Sequence, residues 1–182
     1  MTVIIVLLLI VFVIGFFLMG TYNKLVKMRN GAEDAFKSIN VYLKQRYDLI
    51  PNLVNTIKGY TQYESSTLEK IVELRSQAMN AGGKDGGQAE LALSGALKSV
   101  FALAENYPDL KANQEFLQLQ QTLSNLEESI QRARRYYNAS ARDLNNAVEV
   151  FPNNLIAGPF GFQRMEYFEV DAAETQNVKV QF

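Results

Sequence analysis

The chain has 182 residues, enough for one domain and an appendage, and its 18 Lys+Arg against 19 Asp+Glu leave a formal net charge of -1. That balance lacks the basic footprint that nucleic acid requires of a partner. The absence of Cys, His and Trp excludes disulfides, thiol nucleophiles, thiolate metal sites and the commonest general base.

From Met1 to Asn23 there is no charged side chain, and Val3 to Met19 is apolar throughout, with Gly15 as the one interruption. A bilayer core needs about 17 to 25 apolar helical residues, so this stretch is long enough to span once. A cleaved signal would carry a basic start and small residues at a cleavage site. Only Met1 and Thr2 precede the apolar run, and no Ala-x-Ala pattern comes after it. The reading is therefore a retained transmembrane helix over residues 1–21. The basic residues Lys24, Lys27 and Arg29 lie just beyond it, and no cationic side chain precedes it. By the positive-inside rule the N-terminus is expected outside and the rest of the chain in the cytoplasm.

No strong breaker separates the span from the next helical stretch. Gly20 costs about 1 kcal/mol in a helix, which packing can absorb. A first bundle helix is expected over about Tyr22 to Tyr47, with Leu25, Ala32, Phe36, Ile39 and Leu43 in steps of three and four. Pro51 is disfavoured in a helix interior and suited to a first turn, and Asp48 can cap. A tight reversal is thus expected near Tyr47–Asp48, with a second helix from Leu49 to Asn80. Arg29, Arg46 and Glu64 fall on these two apolar stripes. If the hairpin closes at Asp48, Arg29 and Glu64 come within about a turn of each other. A buried Arg29–Glu64 pair would then avoid an isolated buried charge, and the competing arrangement leaves all three at the seam's edge in water.

The Gly82–Gly87 stretch reads as a linker. Its Lys84 lacks P-loop spacing and no strand precedes it. Gln88 to Glu105 forms a third helical pattern with Ala89, Leu93, Ala96, Val100 and Leu103 on one stripe, widened by Leu97 and Phe101. The longest pattern runs from Asn113 to Phe151: Phe116, Leu119, Leu123, Leu126, Ile130, Ala133, Tyr137, Ser140, Leu144, Ala147 and Phe151 make a narrow seam between Gln, Glu, Arg and Asn. Such a seam packs at a shallow angle, as in a bundle or coiled coil. Beyond Pro152 the helical period stops, yet Leu155, Ile156, Phe160, Phe162, Tyr167 and Phe168 are too apolar for a disordered tail. The tail is expected to pack on its own bundle or on a neighbouring copy. Val178, Val180 and Phe182 alternate like a short strand.

Catalytic chemistry finds little footing. Glu33/Asp34 and Glu127/Glu128 are sequence neighbours that point apart on a helix, and read as solvated. No Glu-x-x-His exists to hold a bundle metal. Ser65 and Ser66 have no His partner, and nothing points to a Ser–Lys dyad. No cofactor, metal or catalytic residue is predicted. Arg132, Arg134 and Arg135 beside Tyr136–Tyr137 form a basic, aromatic cluster, open to a lipid-headgroup or partner role or to that of a solvated helix face.

The run Arg46-Tyr47-Asp48-Leu49-Ile50-Pro51-Asn52-Leu53-Val54 carries a resemblance. So do Tyr22-Asn23, Leu25-Val26, Arg29-Asn30, Lys58-Gly59-Tyr60, Tyr107 to Asn113, Ala133-Arg134, Tyr136-Tyr137-Asn138, Phe151-Pro152, Gly161-Phe162 and Tyr167-Phe168. Together they resemble the LemA family of bacterial membrane proteins over essentially the whole chain. Phe36, Tyr63 and Leu144 depart from the residues that relatives often carry there, Trp, His and Tyr. The resemblance implies an N-terminal membrane helix, an antiparallel helical bundle and a bacterial inner-membrane location. It supplies no established biochemical activity; some relatives are similar to proteins of magnetosome membrane formation, others to proteins encoded beside membrane peptidases.

The expectation is an all-α protein: a transmembrane helix (1–21) continuing into an antiparallel four-helix bundle (22–151), with a short irregular tail (152–182). Its expected role is non-enzymatic. The first reading is a homo-oligomer that organises or shapes the bilayer it is anchored in. The alternative is a monomeric or dimeric adaptor for another membrane protein, such as a protease or transporter.

Overall fold

A computed structural model of the protein describes residues 1–60, 65–81 and 86–168. The protein is all-α. Its helices are α1 (Thr2–Lys58), α2 (Ser65–Ala81), α3 (Gly87–Ala104), α4 (Pro108–Lys111), α5 (Gln114–Glu149) and α6 (Asn154–Ala157), and among the described residues there is no strand. Glu64, Tyr63, most of the Gly-rich linker (82–85) and the strand-like end of the tail lie outside the described residues. The chain forms two compact units. One comprises Met1–Lys37 with Arg134–Tyr167, and the other Ser38–Ala133 with Phe168.

The largest correction concerns Pro51. The reversal expected at Asp48 and Pro51 does not occur: α1 passes through both residues and ends at Lys58. A turn begins at Gly59–Tyr60 and α2 starts only at Ser65, so the first helix is longer than expected and the second shorter. Proline removes the N–H that would bond the carbonyl four residues back, here that of Tyr47. That carbonyl accepts a hydrogen bond from Arg75 Nε of α2 at 2.8 Å. A neighbouring helix thus supplies the donor that the sequence withholds, and α1 continues.

In the second unit, α1, α2, α3 and α5 enclose a core of Ile39, Leu43, Ile50, Leu53, Ile57, Leu68, Ile71, Leu74, Leu93, Leu97, Val100, Phe116, Leu123 and Ile130. Here α1 and α5 run antiparallel: Tyr60 accepts a hydrogen bond from Asn113 Nδ2 (2.8 Å), while Arg46, fourteen residues before Tyr60, meets Glu127, fourteen residues after Asn113 (2.7 Å). Asn113 also caps α5, its Oδ1 accepting from the Phe116 N–H at 2.9 Å. The buried stripe of α3 is Glu90, Leu93, Leu97, Val100 and Ala104. This is a rotation from the predicted stripe, and it carries a carboxylate into the core.

In the first unit α1 and α5 are again antiparallel, and the chain after α5 completes the core. Leu25, Leu144, Val148, Ala157 and Phe162 are buried together, flanked by Val26, Met28, Ala147 and Met165. The turn into the tail is set by Gly161, whose φ of 72° is costly for any residue with a Cβ. Phe162 N–H bonds the Ala157 carbonyl (2.9 Å) and Gly161 N–H that of Gly158 (3.1 Å), a Schellman closure that turns Phe162 back onto Ala157. The chain beyond it is clamped to α5. Asn145 exchanges two hydrogen bonds with the backbone of Met165 (2.7 and 2.9 Å), and the Tyr137 hydroxyl donates to the Glu166 carbonyl (2.6 Å).

Of the α5 seam as read, Phe116, Leu123, Ile130, Tyr137 and Leu144 are buried, and Leu119, Leu126, Ala133 and Ser140 between them are half-buried. The seam then departs: Val148 is buried, whereas Phe151 is 73% exposed beyond the helix end. A straight helix drifts about 20° per heptad against a strict seven-residue repeat, so a seam this long cannot keep one bearing.

Candidate functional site

The most concentrated polar chemistry lies inside the second unit, around Arg46. The α1 stripe carries this side chain inward, where it is 1% exposed. Glu90 of α3, equally buried, accepts hydrogen bonds from the Arg46 guanidinium and from the Tyr47 hydroxyl. Glu127 of α5 accepts from Arg46 Nη1 at 2.7 Å and from Ser94 Oγ at 3.1 Å, and Ser94 Oγ also accepts from Arg46 Nη1 at 2.9 Å. With Arg75 on the Tyr47 carbonyl, side chains from α1, α2, α3 and α5 meet at one level.

Burial pulls the Arg46 guanidinium below its ordinary pKa, and the charge of Glu127 opposes that shift. Arginine nonetheless stays charged at any physiological pH. The cluster therefore sets one buried cation against a buried carboxylate, Glu90, and a partly exposed one, Glu127. Arg46 Nε is buried without a hydrogen-bond partner among the described residues. A shift in helix register would separate these groups and strand a charge in the core, at a cost of several kcal/mol. The groups of the cluster are spent on one another and are not arranged around a space for a substrate.

Sequence reasoning marked Arg46 as a charge on the seam but found neither partner. Glu127 is corrected: it is not a solvated face but turns inward, while its neighbour Glu128 is exposed and paired with Arg132 (3.3 Å). Glu33 and Asp34 are exposed, as read. The available signal was the spacing of Glu90 from Leu93, Leu97 and Val100, which places a carboxylate on an otherwise apolar stripe.

The other singled-out residues are scattered. Val3, Gly15 and Met19 belong to the exposed apolar start of α1. This is the one helix among the described residues long and apolar enough to cross a membrane. Lys24 and Lys27 are exposed, and Arg29 is half-exposed, 3.9 Å from Glu33 and over the Phe162 ring at 5.4 Å. Its expected partner Glu64 lies outside the described residues. Arg132 and Arg135 are exposed and Arg134 is half-buried, so the three do not share a face. Ser66 and Lys70 line an open groove of about 400 Å³ with Thr67, Ala96 and Ser99, but Lys70 directs its ammonium to Glu73 (3.0 Å). No group of carboxylates able to hold a metal occurs among the described residues.

The family model described as the LemA family matches residues 35–182, which takes in the Arg46 cluster, the Pro51 run and the tail. The chain belongs to the LemA family. It is 29% identical over 170 residues to the protein LemA of Metamycoplasma hominis, covering 91% of this chain and 75% of that one. It is 27% identical over 186 residues to the magnetosome protein MamQ of Magnetospirillum gryphiswaldense, covering 87% and 68%. A MamQ of Paramagnetospirillum magneticum matches at 26% over 179 residues, covering 84% and 66%. None of these LemA-family names denotes a catalytic activity. With the apolar start of α1 they mark the chain as a membrane-associated protein.

Proposed function

We propose that this protein is a non-enzymatic, single-pass scaffold of the bacterial inner membrane, whose helical bundle assembles with copies of itself and organises or shapes the bilayer. The observation that carries the reading is the continuity of α1, which runs from an exposed apolar segment into the bundle without a break. A helix shared in this way couples bundle position to the membrane, which a flexible linker would not do. Relatives named as magnetosome proteins support a membrane-organising role. Lys24, Lys27 and Arg29 beyond the span favour a cytoplasmic bundle and an external N-terminus. Repeated copies on one bilayer would act through avidity, so each contact between copies can be weak.

The test is the mass of the full-length protein in mild detergent, by light scattering corrected for bound detergent. A large, discrete mass is expected. A mass of one or two chains overturns self-assembly and leaves a membrane-anchored adaptor for another membrane protein.

A further inference from the structure

The uncharged segment Val150-Phe-Pro-Asn-Asn-Leu-Ile-Ala-Gly-Pro-Phe-Gly-Phe-Gln163 lies between α5 and the clamped tail. It buries Ile156, Ala157 and Phe162 but leaves Phe151, Leu155 and Phe160 largely in the open, the last two 65% and 60% exposed. Isolated exposed apolar residues need no explanation, but several on one uncharged loop do. The Phe160 ring packs edge-on against Tyr22 with centroids 5.1 Å apart, and Phe162 meets the same tyrosine at 5.6 Å. Tyr22 stands three residues past Met19, about 4.5 Å along the helix axis from the end of the apolar run. The headgroup layer is about 5–7 Å deep on each side of the hydrocarbon. Phe160 is therefore held at the depth where α1 would leave the hydrocarbon, a layer that aromatic side chains favour. Cations lie beyond it on both elements, Lys24, Lys27 and Arg29 on α1 and Arg164 on the tail.

We infer that the 150–162 segment is a second membrane contact: Phe151, Leu155 and Phe160 enter the headgroup layer of the leaflet from which α1 emerges. The occupant of this surface is the bilayer that already holds the span, because the same chain carries both and Tyr22 joins them. Asn145 and Tyr137 fix the following chain to α5. The first unit is thereby held to the membrane at two points, and its rotation about α1 is restricted. The inference rests on α1 spanning the membrane, and its test reads the two separately.

The chain has no cysteine, so single substitutions give unique labels. Full-length Val11→Cys, Leu155→Cys, Phe160→Cys and Ser124→Cys carrying an environment-sensitive fluorophore are placed in vesicles of phosphatidylethanolamine and phosphatidylglycerol. Quenching is compared between lipids with a doxyl group near the headgroup and near the chain end. Val11 should respond most to the deep quencher. Leu155 and Phe160 should respond to the shallow one about twofold or more above Ser124, as for groups at the headgroup boundary. Labels at 155 and 160 that match Ser124 while Val11 is quenched overturn the inference and leave the span standing. A Val11 label that no lipid quenches overturns the span and the inference with it. Labels at 155 and 160 in an apolar setting that doxyl lipid does not reach mean that a second copy covers the segment, which also overturns it.

Discussion

The clearest test of how this bundle is built is the pairing of Pro51 with Arg75. Pro51 deprives the Tyr47 carbonyl of its helical donor, and Arg75 Nε supplies one at 2.8 Å in a half-buried site. A hydrogen bond from a charged group contributes about 1.5–3 kcal/mol, and an unsatisfied buried acceptor costs a similar amount. Arg75→Met keeps most of the length of the side chain and removes the donor, so it should destabilise the bundle by about 2 kcal/mol. In Pro51→Ala the restored N–H bonds Tyr47 along the helix, and Arg75→Met should then cost less by about 1 kcal/mol or more. The assay is urea unfolding of the full-length protein in mild detergent, monitored by far-ultraviolet circular dichroism, for all four members of the cycle. Additive effects would refute the argument, because they would mean that Arg75 acts through packing or charge and not through the carbonyl that proline orphans.

The same geometry sets other expected outcomes. Glu90→Gln leaves Arg46 without its most buried counter-charge and should cost about 3–5 kcal/mol in the same unfolding assay. Glu127→Gln, at a partly exposed carboxylate, should cost less, and equal losses would show that burial is not what sets the cost. Asn145→Ala removes both hydrogen bonds to Met165 and should speed tryptic cleavage after Arg164; unchanged cleavage would mean that the clamp does not hold the tail. Gly161→Ala forces a Cβ into a left-handed conformation and should cost about 1 kcal/mol of stability or more, read in the same urea series. A Ser124→Cys variant should resist a membrane-impermeant maleimide in intact cells and react after lysis, whereas prior labelling would reverse the proposed orientation.

The helical class, the apolar start of α1 and most of the α5 seam were legible because they depend on near neighbours. Phe116, Leu123, Ile130, Tyr137 and Leu144 recur at a spacing that a helix places on one side. The uncharged run from Met1 to Asn23 is likewise a local property. Pro51 shows where local reasoning stops. Its backbone defect is fixed by its own residue type, but whether the helix breaks depends on a donor from another helix, 28 residues along the chain from the Tyr47 carbonyl it serves. The Arg46 cluster behaves in the same way. The stripe gives the arginine its inward bearing, but Glu90 and Glu127 stand 44 and 81 residues along the chain. Adjacent carboxylates such as Glu127 and Glu128 look alike in sequence, and only the approach of α1 to α5 makes one a core residue and the other a surface one. Hydrophobic period is written residue by residue, whereas the neutralisation of a buried charge or an orphaned carbonyl needs a partner that only folding brings within hydrogen-bond reach.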